Sequence, residues 1–165
     1  MQVLIEKAVN GDVESFLELM DQNMLAMYKV ARAILNSDDD AADAIQDTIL
    51  SCFEKLHTLR NQKYFKTWMT RILINHCNHI LRHRRREDLP GEIPEIMRQD
   101  MSFAEFEFQE MLRLVDEKCR LVLVLYYQEG FKIPEIAELL EMNKNTVKTR
   151  LARAREQIRT AYLEK

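Results

Sequence analysis

Lys144, Asn145, Lys148, Thr149, Arg150 and Arg153 fall within ten residues near the C-terminal end of the chain, and all carry hydrogen-bond donors. Lys148 and Arg153 can donate to guanine O6 and N7, which discriminates between bases by about 1–3 kcal/mol when the contact is bidentate. Asn145 and Thr149 can meet bases or phosphates, and residue type alone leaves both open. A second set lies between Tyr64 and Arg86, where Lys66, Arg71, Asn75, Asn78, Arg82, Arg85 and Arg86 accompany Trp68. A cationic groove with aromatic rings nearby suits single-stranded DNA, on which each stacked base contributes about 1–3 kcal/mol. A third set is acidic and polar: Asp40, Asp43, Gln46, Asp47 and Glu54, spaced to share one side of a helix.

Other chemistry finds little support. There is no nucleophile paired with a base, no phosphate-binding glycine loop and no clustered carboxylate site, so an enzyme is not expected. His79 and His83 are four residues apart, but neither they nor His76 have an acidic or cysteine partner, and the arginines around them repel a cation. Cys52, Cys77 and Cys119 lie far apart and read as buried thiols. Neither metal nor cofactor is called for.

The elements that must position these residues are helical. Gly and Pro number three each, while Leu, Met, Ala, Glu, Lys and Arg dominate. Asp12 is placed to cap a helix whose apolar positions are Phe16, Leu17, Met20, Met24, Met27, Tyr28, Ala31 and Ile34. Ser37, with Asp40 three residues on, resembles a capping box opening a helix over about 39–56. Ala41, Ala44, Ile45, Thr48, Ile49, Cys52, Phe53 and Leu56 form its inner side. A loop near 57–63 precedes a long helix over about 64–86, with Phe65, Trp68, Met69, Ile72 and Leu73 directed inward. Periodicity fades between Glu87 and Ser102, where Pro90, Gly91 and Pro94 mark a linker. It resumes at Phe103, and Gly130 ends the helix that contains Cys119–Tyr127. Ile133, Ile136, Ala137 and Leu140 then line a short helix, Glu141-Met-Asn turns, and Thr146, Val147, Leu151, Ala154 and Ile158 line a longer one. This is a helix-turn-helix. The fold class is therefore all-α: two small helical domains, 1–86 and 103–165, joined by an acidic linker at 87–102.

The net charge of −3 conceals its distribution. Residues 63–86 carry seven cations and no anion, whereas residues 87–117 carry two cations and ten anions. Residues 118–165 are again basic, with ten cations and six anions. Two basic segments separated by an acidic one point to two DNA contacts and a spacer. The N-terminal residues have an acidic side chain and only a short apolar run, so no signal peptide is expected, and no window is long enough for a membrane span.

Taken together, these segments resemble the extracytoplasmic-function sigma factors, over nearly the whole chain. Asp40-Ala-Ala-Asp-Ala-Ile-Gln-Asp-Thr-Ile-Leu-Ser-Cys-Phe is similar to the family helix that docks on the polymerase clamp. Phe65-Lys-Thr-Trp-Met-Thr-Arg-Ile-Leu-Ile-Asn and Arg82-His-Arg-Arg-Arg are similar to its promoter-melting helix. Tyr127-Gln-Glu-Gly-Phe-Lys-Ile-Pro-Glu-Ile-Ala-Glu-Leu-Leu and Asn145-Thr-Val-Lys-Thr-Arg-Leu-Ala-Arg-Ala-Arg are similar to its fourth region.

The resemblance implies an initiation subunit that binds core RNA polymerase, recognises minus-10 and minus-35 promoter elements and helps melt the duplex. Asp40, Asp43, Gln46 and Asp47 would meet the clamp of the beta-prime subunit, and the beta flap is a further implied contact. The loop Leu59–Lys63, with Arg60, Asn61 and Lys63, would hold a base flipped from the minus-10 element, with Asn75 close by. Lys148, Thr149, Ala152 and Arg153 would read the minus-35 element. The acidic linker would thread positively charged polymerase channels. An anti-sigma factor is an implied partner, and the cytoplasm the implied location.

Six positions depart from the family pattern. Asn143 and Asn145 stand where Pro and Gly are common, and Lys132 replaces a capping Ser. His79 replaces an Asp, Asp116 a Pro, and Tyr126 an Arg. A conventional helix-turn-helix regulator with an N-terminal partner-binding domain is the alternative reading.

Overall fold

The computed structural model describes residues 1–84 and 102–163. Arg85, Arg86 and the linker stretch 87–101 lie outside them. The chain divides into two compact units, Met1–Pro90 and Gly91–Lys165, and every described element is helical.

The first unit contains α1 (Gln2–Val9), α2 (Val13–Ile34), α3 (Asp38–Lys55) and α4 (Phe65–His83). Two 3-10 turns, Leu56–Thr58 and Gln62–Tyr64, occupy the expected loop. Asp12 does not cap α2 by bonding a backbone N–H; its carboxylate accepts the Ser15 hydroxyl at 2.6 Å. Ser37 does cap α3, accepting from the Asp40 N–H at 3.3 Å, and the three aspartates after it complement the helix dipole. Asp38 ties the two helices together by accepting from the Tyr28 hydroxyl at 2.9 Å and pairing with Arg32 at 3.0 Å.

The core of this unit is built from Leu19, Met27 and Val30 of α2, Ala41 and Ala44 of α3, and Phe65, Met69 and Leu73 of α4. Each large side chain there contributes about 1.5–3 kcal/mol by burial. Ala31, Ala41 and Ala44 are fully buried, and their small size lets the helices approach closely. Leu17 was expected in the core but is 58% exposed. The buried stripe of α2 runs through Phe16, Leu19 and Met20 instead, one position out of phase with it. Phe53 is 55% exposed, although its ring meets Phe16 edge-on with centroids 5.2 Å apart, at the lip of the core. Helix α1 has no counterpart in the sequence reading: it is only eight residues long and buries only Ile5 and Ala8.

The second unit contains α5 (Phe103–Leu112), α6 (Glu117–Leu123), α7 (Ile133–Leu139) and α8 (Lys144–Leu163). Helix α6 widens into a π turn over Val124–Gln128, and Gly130 leaves it with φ of +70°. Asp116 caps α6 by accepting from the Cys119 N–H at 3.0 Å. Arg120 faces inward, donating to the carbonyls of Leu112 at 3.1 Å and Val115 at 3.0 Å, where α5 ends. Val122, Val124, Leu125, Ile136, Val147, Leu151 and Ala154 form the core.

The turn between α7 and α8 is a Schellman motif. Met142 N–H donates to the Ala137 carbonyl at 2.9 Å and Glu141 N–H to the Glu138 carbonyl at 3.4 Å. Glu141 has φ of +52° and is the only non-glycine residue in the left-handed region among those described. Lys132 cannot supply a capping oxygen, yet its N–H finds the Glu135 carboxylate at 2.7 Å, so half of a capping box survives. No helix among the described residues is long and apolar enough to cross a membrane.

Candidate nucleic-acid interface

Helix α8 begins at an asparagine cap. Asn143 Oδ1 accepts from the Thr146 N–H at 2.8 Å and from its hydroxyl at 3.0 Å. The cap satisfies one of the N–H groups that the first turn of a helix otherwise leaves without a partner. Val147, Leu151 and Ala154 anchor the inner side. Lys144, Asn145, Lys148, Thr149, Ala152 and Arg153 are all exposed on the other side. They spread over the first ten residues of the helix, where a recognition helix meets a major groove.

Arg150 is half-buried, and its Nη1 reaches the Lys118 carbonyl at 3.4 Å, a long bond toward the start of α6. Lys118, Asn143, Asn145, Thr149, Arg150 and Arg153 line a groove of about 400 Å³ between α6 and α8. Lys118 was not among the expected residues; it lies 26 positions before Lys144 in sequence, so no local pattern relates it to α8. Arg155 is committed elsewhere: its Nε donates to the Tyr127 hydroxyl at 2.7 Å, and its guanidinium lies 5.6 Å from that ring centroid.

Arg153 meets a carboxylate. Its Nε lies 3.2 Å from Asp116 Oδ2, which also accepts from Gln157 Nε2 at 2.9 Å. Gln157 Oε1 in turn accepts from the Asp116 N–H at 3.3 Å. The Gln157 amide above all, then the Cys119 N–H and the Arg153 cation, hold the Asp116 carboxyl below the usual carboxylate range.

In the first unit, Trp68, Arg71, Asn75, Asn78 and Arg82 recur at three- and four-residue spacing and form one stripe along α4. Arg71, Asn75, Asn78 and Arg82 are exposed, and Trp68 is half-buried. Phe65 is core, with the Trp68 ring tilted against it at 6.0 Å. Arg82 Nε donates to the Asn78 carbonyl at 3.3 Å. Arg60, Asn61 and Lys63 are exposed at the two 3-10 turns, and Lys66 is half-buried at the start of α4. Asn61 Oδ1 accepts from the Lys63 N–H at 3.0 Å, which sets the shape of this loop.

On α3, Asp43, Gln46 and Asp47 are exposed together. Asp40 departs from the expected exposed side. It is 8% exposed, and the Arg84 guanidinium pairs with its Oδ1. The first turn of α3 points this carboxylate at the end of α4, where a cation was available to neutralise it.

Comparison with known proteins gives a family for each unit. Residues 19–87 match the Sigma-70 region 2 family, and residues 105–158 match Sigma-70, region 4. RNA polymerase sigma factor SigV of Bacillus subtilis (strain 168) is 29% identical over 130 residues, covering 77% of this chain and 78% of its own. ECF RNA polymerase sigma factor SigW of the same strain is 26% identical over 182 residues, covering 96% of this chain and 97% of its own. Among solved structures, CnrH in complex with the cytosolic domain of CnrY has a TM-score of 0.68 at 24% identity, covering 99% of this chain and 96% of that one. The sigma factor RpoE of Bartonella quintana, in complex with the anti-sigma factor NepR, has the same TM-score at 20% identity, covering 87% and 95%.

Fold and site thus define a sigma-70-type protein with regions 2 and 4. The chain belongs to the extracytoplasmic-function sigma factors, which direct RNA polymerase to promoters and are not enzymes.

Proposed function

We propose that this sigma factor divides promoter recognition between the outer face of α8 and the polar stripe of α4. Lys144, Asn145, Lys148, Thr149, Ala152 and Arg153 enter the major groove of the minus-35 element, with Arg150 and Lys118 at its phosphate edge. Arg60, Asn61, Lys63, Lys66, Trp68, Arg71, Asn75, Asn78 and Arg82 engage the minus-10 element, continued by Arg85 and Arg86. Flipping a base costs a few kcal/mol, and this cationic surface offsets part of that cost together with the polymerase. Asp43, Gln46 and Asp47 dock on the clamp of the beta-prime subunit, and the C-terminal unit on the beta flap.

The observation that carries this reading is the exposure of five donor side chains on the first ten residues of α8, opposite the buried row Val147, Leu151 and Ala154. The proposal includes residues 1–86 and 103–165 as the functional domains and 87–102 as an acidic tether in the polymerase channel. It also includes an anti-sigma partner and a cytoplasmic location, both resting on family membership. Run-off transcription with purified core polymerase tests it. Promoter-specific transcripts are expected from this chain and core alone. A requirement for a second sigma factor would instead make it a conventional regulator.

A further inference from the structure

Asp116 is the cap residue of α6 and meets α8 through Gln157 and Arg153. Its carboxylate is fixed by contacts that do not involve Arg153. Oδ1 accepts from the Cys119 N–H at 3.0 Å, and Oδ2 accepts from Gln157 Nε2 at 2.9 Å. The Gln157 bond to the Asp116 N–H at 3.3 Å closes a two-way clamp between the start of α6 and the outer side of α8. Against this fixed oxygen stands Arg153, 3.2 Å away through Nε.

The side chain of Arg153 is 68% exposed and that of Asp116 34% exposed. An ion pair so open to water adds little to folding stability. What it can do is restrict a long side chain that would otherwise sample many rotamers. A contact through Nε is also the one that leaves the terminal Nη1/Nη2 edge of a guanidinium for a bidentate partner such as guanine O6/N7.

We infer that Asp116 is a positioning residue for minus-35 readout, holding Arg153 in the orientation in which it meets a base. The inference rests on the proposed role of Arg153 in α8. Asp116 itself touches no DNA. Its part is to order the arginine before docking, so that less freedom is lost on binding.

The test uses full-length protein assembled with core polymerase and a pool of promoter duplexes randomised over the upstream element, with the retained duplexes sequenced. Arg153→Ala should flatten the base preference at one position. Asp116→Asn keeps a capping oxygen but loses the charge. It should flatten preference at that same position by roughly three- to ten-fold, with other positions unchanged. Asp116→Ser, which also caps but is too short to reach Arg153, should do the same. In an Arg153→Ala background neither substitution should have a further effect.

If Arg153→Ala flattens one position and Asp116→Asn does not, the positioning role is wrong while the reading of α8 stands. Equal flattening at every position would make Asp116 merely structural, and sharper preference would make it a competitor of DNA; either overturns the inference. If Arg153→Ala itself changes no position, both the base-reading role and the inference built on it fall.

Discussion

Arg84 and Asp40 form an ion pair that joins the residue just past α4 to the first turn of α3. The carboxylate side chain is 12% exposed and the arginine 60% exposed. One member of the basic cluster at the end of α4 is therefore occupied within the protein, and one member of the acidic set on α3 is withdrawn from its surface.

Asp40 and Asp47 should consequently behave differently. Asp40→Asn is expected to lower stability by about 1 kcal/mol in thermal unfolding, through the lost ion pair and helix-dipole contact. It should leave affinity for core polymerase unchanged. Asp47→Lys, on the exposed side of the same helix, should lower that affinity by about ten-fold or more. A competition assay for core polymerase checks both, and equal losses would return Asp40 to the interface.

Lys148 is exposed on the second turn of α8. Lys148→Ala should reduce discrimination at one upstream base pair by about 1–3 kcal/mol. The measurement is promoter binding by the assembled polymerase on single-base variants at several salt concentrations. A uniform loss on all variants, with a salt slope shallower by about 0.9, would mark a phosphate contact instead.

Glu141 holds a left-handed conformation that costs a side-chain-bearing residue about 1–2 kcal/mol. Glycine relieves that strain but adds about 0.5–1 kcal/mol of freedom to the unfolded chain. Glu141→Gly should therefore raise stability by about 0.5 kcal/mol, measured by denaturant unfolding. The Schellman bonds from Met142 and Glu141 use backbone groups alone and survive the change.

Burial pushes the thiols of Cys52 and Cys77 up from 9.0 to about 12, and burial with help from the Asp116 charge pushes Cys119 up to about 11. Native protein at pH 8 should react slowly with thiol reagents, because the thiolate is the reactive form. All three should label promptly in denaturant. The unfolded chain loses these protons first as pH rises, so the thiol contribution to stability is intact below about pH 8. It declines from near pH 9 toward the folded values. Alkaline unfolding curves of Cys77→Ser, compared with the parent, measure that decline.

Much of the architecture was legible locally. The cap at Ser37, the turn at Glu141–Asn143 and most of the inner rows of α3, α4 and α8 follow from residue type and a 3.6-residue period, both properties of neighbouring residues; Phe53 and Trp68 fall outside those rows, and Thr70, Ile74 and Cys77 join the buried side of α4. Phase errors arose where two apolar rows compete, as at Leu17 against Leu19. Helix α1 carries no comparable signal, because two buried residues make too short a pattern.

The sequence alone thus determined the helical class, the helix-turn-helix, the candidate polar faces and the family, since helix period, capping chemistry and charge distribution are written within short stretches. Only the tertiary structure decided which charges remain for a partner. Arg84 lies 44 positions from Asp40, Arg153 lies 37 from Asp116, and Arg155 lies 28 from Tyr127. Such pairings depend on how helices pack, which brings together side chains that no periodicity relates.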